Sequence, residues 1–105
     1  MVKKLTFLIF TVFFNFSFAN NSWVGNWIAS DEWQSEFNII IKADGSAKSD
    51  YGAGEIGEWK NLDGNLEIIW ESGKKDYIFN GVMGFQRIRK TRQKSYTSGI
   101  RKSLD

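Results

Sequence analysis

Two groups of carboxylates in this chain stand beside features that could hold a substrate. Glu55 and Glu58 adjoin the glycine stretch Gly52-Ala53-Gly54-Glu55-Ile56-Gly57, and Asp31 and Glu32 directly precede Trp33. Paired acids flanking a cleft are the set glycosidases use, one as general acid and the other as base or nucleophile. Asp31, Glu32 and Glu36 also offer oxygen donors suited to a hard cation, but without the spacing of a calcium-binding loop. The 105 residues include no histidine and no cysteine. The usual neutral-pH base, a thiol nucleophile, imidazole and thiolate metal ligands, and disulfides are therefore excluded. Nothing in the sequence makes the carboxylates converge, so no catalytic residue, metal or cofactor is assigned and a non-enzymatic role is expected. The glycine stretch matches G-x-G-x-x-G, yet a dinucleotide site needs a helix after it. Here a strand bearing Trp59 follows, and the stretch reads as a loop.

The remaining chemistry is that of aromatic and cationic surfaces. Trp33 sits in the polar segment Ser30-Asp31-Glu32-Trp33-Gln34, where an exposed tryptophan suits binding. Trp27, Tyr51 and Trp59 complete the candidate ligand-binding set for a small apolar ligand, although strand parity turns Trp23, Trp27, Trp59 and Trp70 inward, where core packing is the plainer role. Arg87, Arg89, Lys90, Arg92 and Lys94 form a basic run, followed by Arg101 and Lys102. Between Asn20 and Phe85 five lysines face eleven acids, whereas between Gln86 and Asp105 seven bases face one acid. Such a tail can bind an anionic surface, pair with the acidic body of its own chain, or remain a solvated end.

These side chains need strands to position them. Asp44-Gly45, Asp63-Gly64, Ser72-Gly73 and Asn80-Gly81 each separate runs of alternating apolar and polar residues, the sequence form of a hairpin. A three-residue Ala43-Asp44-Gly45 loop sets Ile41 against Ala47 and Phe37 against Tyr51. A turn at Asp63-Gly64 sets Trp59 against Ile68 inside and Lys60 against Glu67 outside. A two-residue turn at Ser72-Gly73 sets Leu66, Ile68 and Trp70 against Phe79, Tyr77 and Lys75. A turn at Asn80-Gly81 sets Phe79 against Val82. The expected fold is all-β: an antiparallel up-and-down meander of about seven short strands, as a strongly curled sheet or a small closed barrel. Ile28, Ile40, Ile69, Ile78, Met83 and Phe85 then project outward. Together they form a candidate partner surface, for another protein or for a homodimer, unless the tail covers them.

Met1-Val2-Lys3-Lys4, an apolar run from Leu5 to Phe18, and small residues at Ser17 and Ala19 have the layout of a cleavable export signal. The run is about 14 residues, short of the roughly 20 that a spanning helix needs. The chain divides into a signal over 1–19 cleaved after Ala19, a small barrel-like domain over 20–89, and a basic tail over 90–105. Export to a periplasmic or secreted location argues against nucleic acid as a partner.

Trp23-Val24-Gly25-Asn26-Trp27 opens the first strand with Gly-x-Trp, and Asp44-Gly45-Ser46-Ala47 and Gly57-Glu58-Trp59 follow. On these residues the segment from Gly25 to Arg89 resembles the lipocalin-like and avidin-like (calycin-type) small exported barrels. The resemblance implies that Trp27 closes one barrel end, packed by an arginine of the last strand, Arg87 or Arg89. The chain is shorter than the usual eight strands plus helix, and the register above turns Arg87 outward, so no ligand-pocket residues are carried over. In export and size the chain is also similar to the compact periplasmic protease inhibitors of the lipocalin-like branch, although only Asn20-Asn21-Ser22 precedes its first strand. The expectation is an exported, non-enzymatic binding or structural module. An inhibitor or partner-binding subunit using the outer apolar face and Trp33, and a tail-mediated binder of anionic surfaces, are the alternatives.

Overall fold

The computed structural model describes residues 21–104, so the expected export signal lies outside the described residues. A short 3-10 turn, Asn21–Trp23, leads into eight antiparallel strands: β1 (Gly25–Ser30), β2 (Glu36–Ile41), β3 (Ser46–Ser49), β4 (Glu55–Leu62), β5 (Asn65–Trp70), β6 (Lys75–Gly81), β7 (Gly84–Lys90) and β8 (Ser95–Lys102). Each strand pairs with the next, and β8 returns to β1 to close a barrel. Closure removes the exposed edges that an open meander would carry. The expected meander and closed barrel are what form, with eight strands rather than about seven. The eighth comes from the basic tail, whose residues 95–102 pair along β7 and seal the wall against β1.

Two of the predicted hairpins hold residue for residue. Ile41 faces Ala47 across the Ala43-Asp44-Gly45 loop, where Gly45 takes φ 94°. Trp59 faces Ile68, and Lys60 faces and ion-pairs with Glu67. The other two differ. The β5–β6 connection is the three-residue loop Glu71-Ser72-Gly73, closed by bonds from Trp70 N to Lys74 O and from Gly73 N to Trp70 O, with Gly73 at φ 98°. Ile68 consequently faces Asp76, and Leu66 faces Ile78. Side chains alternate along a strand, so this slip of one residue turns all of β6 over. Asp76 and Ile78 point in, and Tyr77 and Phe79 lie half-buried outside. The next turn falls at Val82-Met83, with Gly81 opposite Gly84, and β7 is inverted with it. Phe85, Arg87 and Arg89 therefore enter the barrel, while Val82 moves from the expected core to a turn tip.

The interior is filled by side chains. Trp27, Ile39, Ile41, Leu66, Ile68, Trp70 and Ile78 form its apolar body. Trp23 and Phe85 plug the end where the chain enters, each packed on Trp27 and on the other with ring centroids 5.2–5.8 Å apart. The cation over Trp27 is Lys102, 5.7 Å from the ring, rather than Arg87 or Arg89.

Candidate functional site

The end of the barrel away from the chain entry holds most of its buried polar groups, Glu67 near the start of β5 being the exception among the described residues. Asp76 is the second residue of β6, Arg87 and Arg89 lie in the middle and second half of β7, and Glu55 opens β4, so alternation on three strands aims four charges into one end of the interior. Asp76 Oδ2 accepts from Trp70 Nε1 at 2.8 Å and from an Arg89 terminal nitrogen at 2.7 Å. Its Oδ1 accepts from Arg87 at 2.8 Å and from Arg89 Nε at 3.0 Å. Arg89 also donates to both oxygens of Glu55, at 3.1 and 3.3 Å, and Ser49 Oγ donates to Glu55 at 2.9 Å. Arg87 spends its other terminal nitrogen on Ser30 O at 2.6 Å, Tyr96 Oη at 3.2 Å and Ser98 Oγ at 3.3 Å. Arg87 lies over Phe37 and Tyr96, and Arg89 over Phe37, Tyr51 and Trp70. Two anions and two cations balance, which is the condition for burying them at all.

Burial pushes the Asp76 carboxyl upward, but the Arg89 hydrogen bonds and the charges of Arg87 and Arg89 outweigh it and hold the group below the usual carboxylate range. Burial pulls Arg89 the other way, and Asp76 and Glu55 overcome that and raise it. Such groups neither give nor take a proton near neutrality. They are a structural lock: Arg87 ties β7 to the end of β1 and to β8, across the closing seam, where β1 and β8 share only three paired positions.

Above the lock stand the loops. Asp31 is buried, and its Oδ1 accepts from the backbone of Trp33 at 2.9 Å and of Ser35 at 2.8 Å. Backbone bonds from Asp31 N to Ser35 O and from Gln34 N to Asp31 O complete a closed loop, with Gln34 at φ 69°. Glu32 accepts from Lys94 at 2.8 Å and so joins this loop to the β7–β8 connection, raising the lysine's pKa. Trp33 makes none of these bonds through its ring and is 78% exposed. At the same end of the barrel, a cleft of about 380 Å³ lies between the β3–β4 and β5–β6 loops, lined by Tyr51, Glu55, Trp70 and Lys74 among others.

The predicted site residues divide. Trp33 is exposed as expected. Trp27 is buried with its Nε1 on Trp23 O, and Trp59 is half-buried with its Nε1 on Lys42 O, both toward the entry end, whereas Tyr51 stacks on Phe37 at the other. The four do not converge. Of the partner surface, Ile78 and Phe85 belong to the interior because β6 and β7 are inverted. Ile28, Ile40 and Ile69 do face outward, but their cross-strand neighbours are Asn38 and Arg101, Asn26 and Lys48, and Glu58 and Lys75. Polar side chains thus flank each isoleucine. Of the basic run, Arg87 and Arg89 are enclosed in ion pairs and cannot meet an outside surface, while Lys90, Arg92 and Lys94 remain exposed.

The acid pairs also separate. Glu55 points in and Glu58 out, three residues apart on one strand. Glu32 and Glu36 bind Lys94 and Arg101. Sequence reasoning misses Asp76, Ser98 and Tyr96. An acid with even parity to Leu66 and Ile68 is found once two interior arginines are required to have a counter-charge. No protein-family model, curated protein or solved structure matches this chain.

Proposed function

We propose that this chain is an exported, non-enzymatic recognition module: a rigid barrel that presents Trp33 to a protein partner. The observation that carries the reading is the contrast between the ring and its loop. Trp33 is exposed, yet its backbone is fixed by Asp31, by the Asp31–Ser35 closure and by the Glu32–Lys94 bridge. Ordering a floppy loop opposes association, and a loop already ordered avoids that loss. Tryptophan is also the residue most enriched where single side chains dominate binding. The filled interior leaves the surface as the place for recognition, and the locked state of Asp76, together with the opposite facing of Glu55 and Glu58, supports a non-enzymatic role.

A photo-crosslinking residue placed at Trp33 in cells, with one at Ile69 on the barrel wall as the control, identifies the partner. With that partner purified, Trp33→Ala is expected to weaken binding roughly 30-fold, the effect of losing one dominant contact, while thermal unfolding stays unchanged. Equal crosslinking from both positions, or unaltered affinity, overturns the assignment.

A further inference from the structure

The closing seam of the barrel pairs along only part of β8. Residues 100–102 face β1, whereas 95–99 are paired on their β7 side alone. The next pair along the seam would be Ser30 with Gly99, but β1 ends at Ser30, and the carbonyl of that residue accepts from Arg87 at 2.6 Å. Two bonds at the ends of β8 fix which backbone groups are left over. Thr91 N donates to Lys94 O before the strand, and Ser103 N donates to Asn26 O after it. Bonded pairs alternate along an antiparallel ladder. The even-numbered residues of β8 therefore bond to β7, and the odd-numbered ones turn their N–H and C=O groups toward the seam. Among the described residues, nothing pairs there with the backbone of Ser95 or Thr97, and both are exposed. Tyr96 and Ser98 point into the barrel yet stay half-buried, while Ile100, where pairing with β1 begins, is buried. The wall stands open beside them. Gly99 is in register with Gln86, its φ is not positive, and a Cβ there would meet nothing within 4 Å. The fold gives no reason for a glycine at that position, and a strand glycine of this kind marks the close approach of another backbone.

Unpaired strand groups in a row are a template for an added strand. Position and charge decide what adds. Lys94, adjacent to Ser95, bonds at 2.8 Å to Glu32, adjacent to Trp33, so the free edge and the exposed indole are neighbours. A second copy pairing across Thr97 would bring Arg92 and Lys94 of each chain toward Arg101 and Lys102 of the other, and like charges facing across strands are destabilising. A foreign segment with acidic residues at its ends meets the same cations favourably. We infer that the protein partner of Trp33 delivers an extended, acid-flanked segment that adds as a short strand to β8 along Ser95, Thr97 and Gly99. The identity of the partner rests on the recognition role of Trp33; the free edge does not, and it is tested without that partner.

The probe is a capped heptapeptide of alternating valine and threonine with a glutamate at each end. It is titrated to millimolar concentration into the isotope-labelled full chain, and amide exchange is followed by NMR. In the free chain the Ser95 and Thr97 amides should exchange rapidly, while those of Tyr96 and Ser98 are protected by β7. With the peptide, exchange at 95 and 97 should slow about tenfold. The same peptide N-methylated at alternate amides keeps its side chains but loses a strand's donors, and it should have no effect. Thr97→Pro removes an N–H that the barrel's own ladders do not use; it should abolish the peptide's effect with Tm near the native value. Trp33→Ala should leave that effect unchanged, so a failure of Trp33 as a contact and a failure of the edge are separate results. Ser95 and Thr97 amides already protected in the dilute free chain, no slowing at millimolar peptide, or equal slowing by the N-methylated peptide overturns the inference. Protection that grows with protein concentration in the absence of peptide assigns the edge to a second copy and overturns it equally.

Discussion

Asp76 is the residue on which the interior depends, because two arginines have it as their common counter-ion. Removing one partner of a buried pair leaves an uncompensated charge, and that costs about 3–5 kcal/mol. Asp76→Ala strands both guanidinium groups, so its loss belongs at or above the upper end of that range; urea unfolding followed by tryptophan fluorescence measures it. Asp76→Asn keeps the shape but not the charge and is expected to fall between Asp76→Ala and the native chain. The carboxyl has a lower pKa folded than unfolded, so its contribution is complete above the ordinary carboxylate value and disappears as pH falls through the folded one. The native barrel should therefore lose stability steeply below about pH 4, and the Asp76→Asn curve should be flatter there. Parallel curves would place the acid sensitivity elsewhere. Arg89 also holds two carboxylates at once, through Nε and both terminal nitrogens. A lysine has one point of charge and no fork, so Arg89→Lys should be destabilising by an amount similar to losing the Glu55 link. Adding Glu55→Gln to Arg89→Lys should then cost little more.

Among the strands, β4 shows how tightly the wall and the filling are matched. Gly57 lies where β4 passes β5 and the Trp70 ring; a Cβ there would run into the Ile69 carbonyl oxygen and stand 2.9 Å from the ring. The third glycine of the G-x-G-x-x-G stretch is thus a packing requirement. Gly57→Ala forces β4 and β5 apart in a full interior and is expected to cost about 1–3 kcal/mol, measurable as a lowered Tm, while Gly52→Ala meets open space and strains only the local backbone. Much of this architecture is legible in the sequence. Turn residues and alternation locate seven of the eight strands, and two hairpins have the register read from them. The errors have one physical source. Ser72-Gly73 serves a two-residue or a three-residue loop equally well as a local signal, and apolar alternation favours the register with Tyr77 and Phe79 inside. The fold instead takes Asp76, because only that register gives Arg87, Arg89 and the Trp70 indole an acceptor. Buried ionic pairing across the β6–β7 hairpin overrides the local apolar pattern. Strand β8 escapes for a related reason: Ser95-Tyr96-Thr97-Ser98-Gly99 alternates weakly, and its inward Tyr96 and Ser98 satisfy Arg87 rather than fill apolar space. At the candidate site, Trp33 is legible because a polar loop does not hide a tryptophan, whereas the Asp31 bonds that hold it require the backbone's path.

For the molecule as a whole, the uneven distribution of charge along the chain becomes a means of closure. Acids outnumber bases before Gln86 and bases outnumber acids after it, and the barrel joins the two: Arg87 and Arg89 to Asp76 and Glu55, Lys94 to Glu32, Arg101 to Glu36. Of the three roles open to the basic tail, pairing with its own body is the one the fold uses. Every one of these links except Asp76 with β7 spans distant parts of the sequence, and the last of them bring β8 beside β1. Such a topology closes late, because the ends must meet before their contacts stabilise anything. A chain ending at Lys90 would expose both β1 and β7 edges and lose the Tyr96, Ser98 and Ile100 contacts; it should be unfolded or aggregated by circular dichroism. The peptide 91–105, supplied separately, carries excess positive charge to a body with excess negative charge, so it should restore the near-ultraviolet tryptophan signal. Long-range attraction sets the rate of such an encounter and is screened by salt, while buried pairs are screened far less. The association rate should therefore fall steeply between low and high salt, with the dissociation rate nearly constant. If both rates were indifferent to salt, the charge asymmetry would have no part in closing the barrel. A truncated chain that folded by itself would make β8 an accessory to a seven-stranded sheet, contrary to the seam that Arg87 holds.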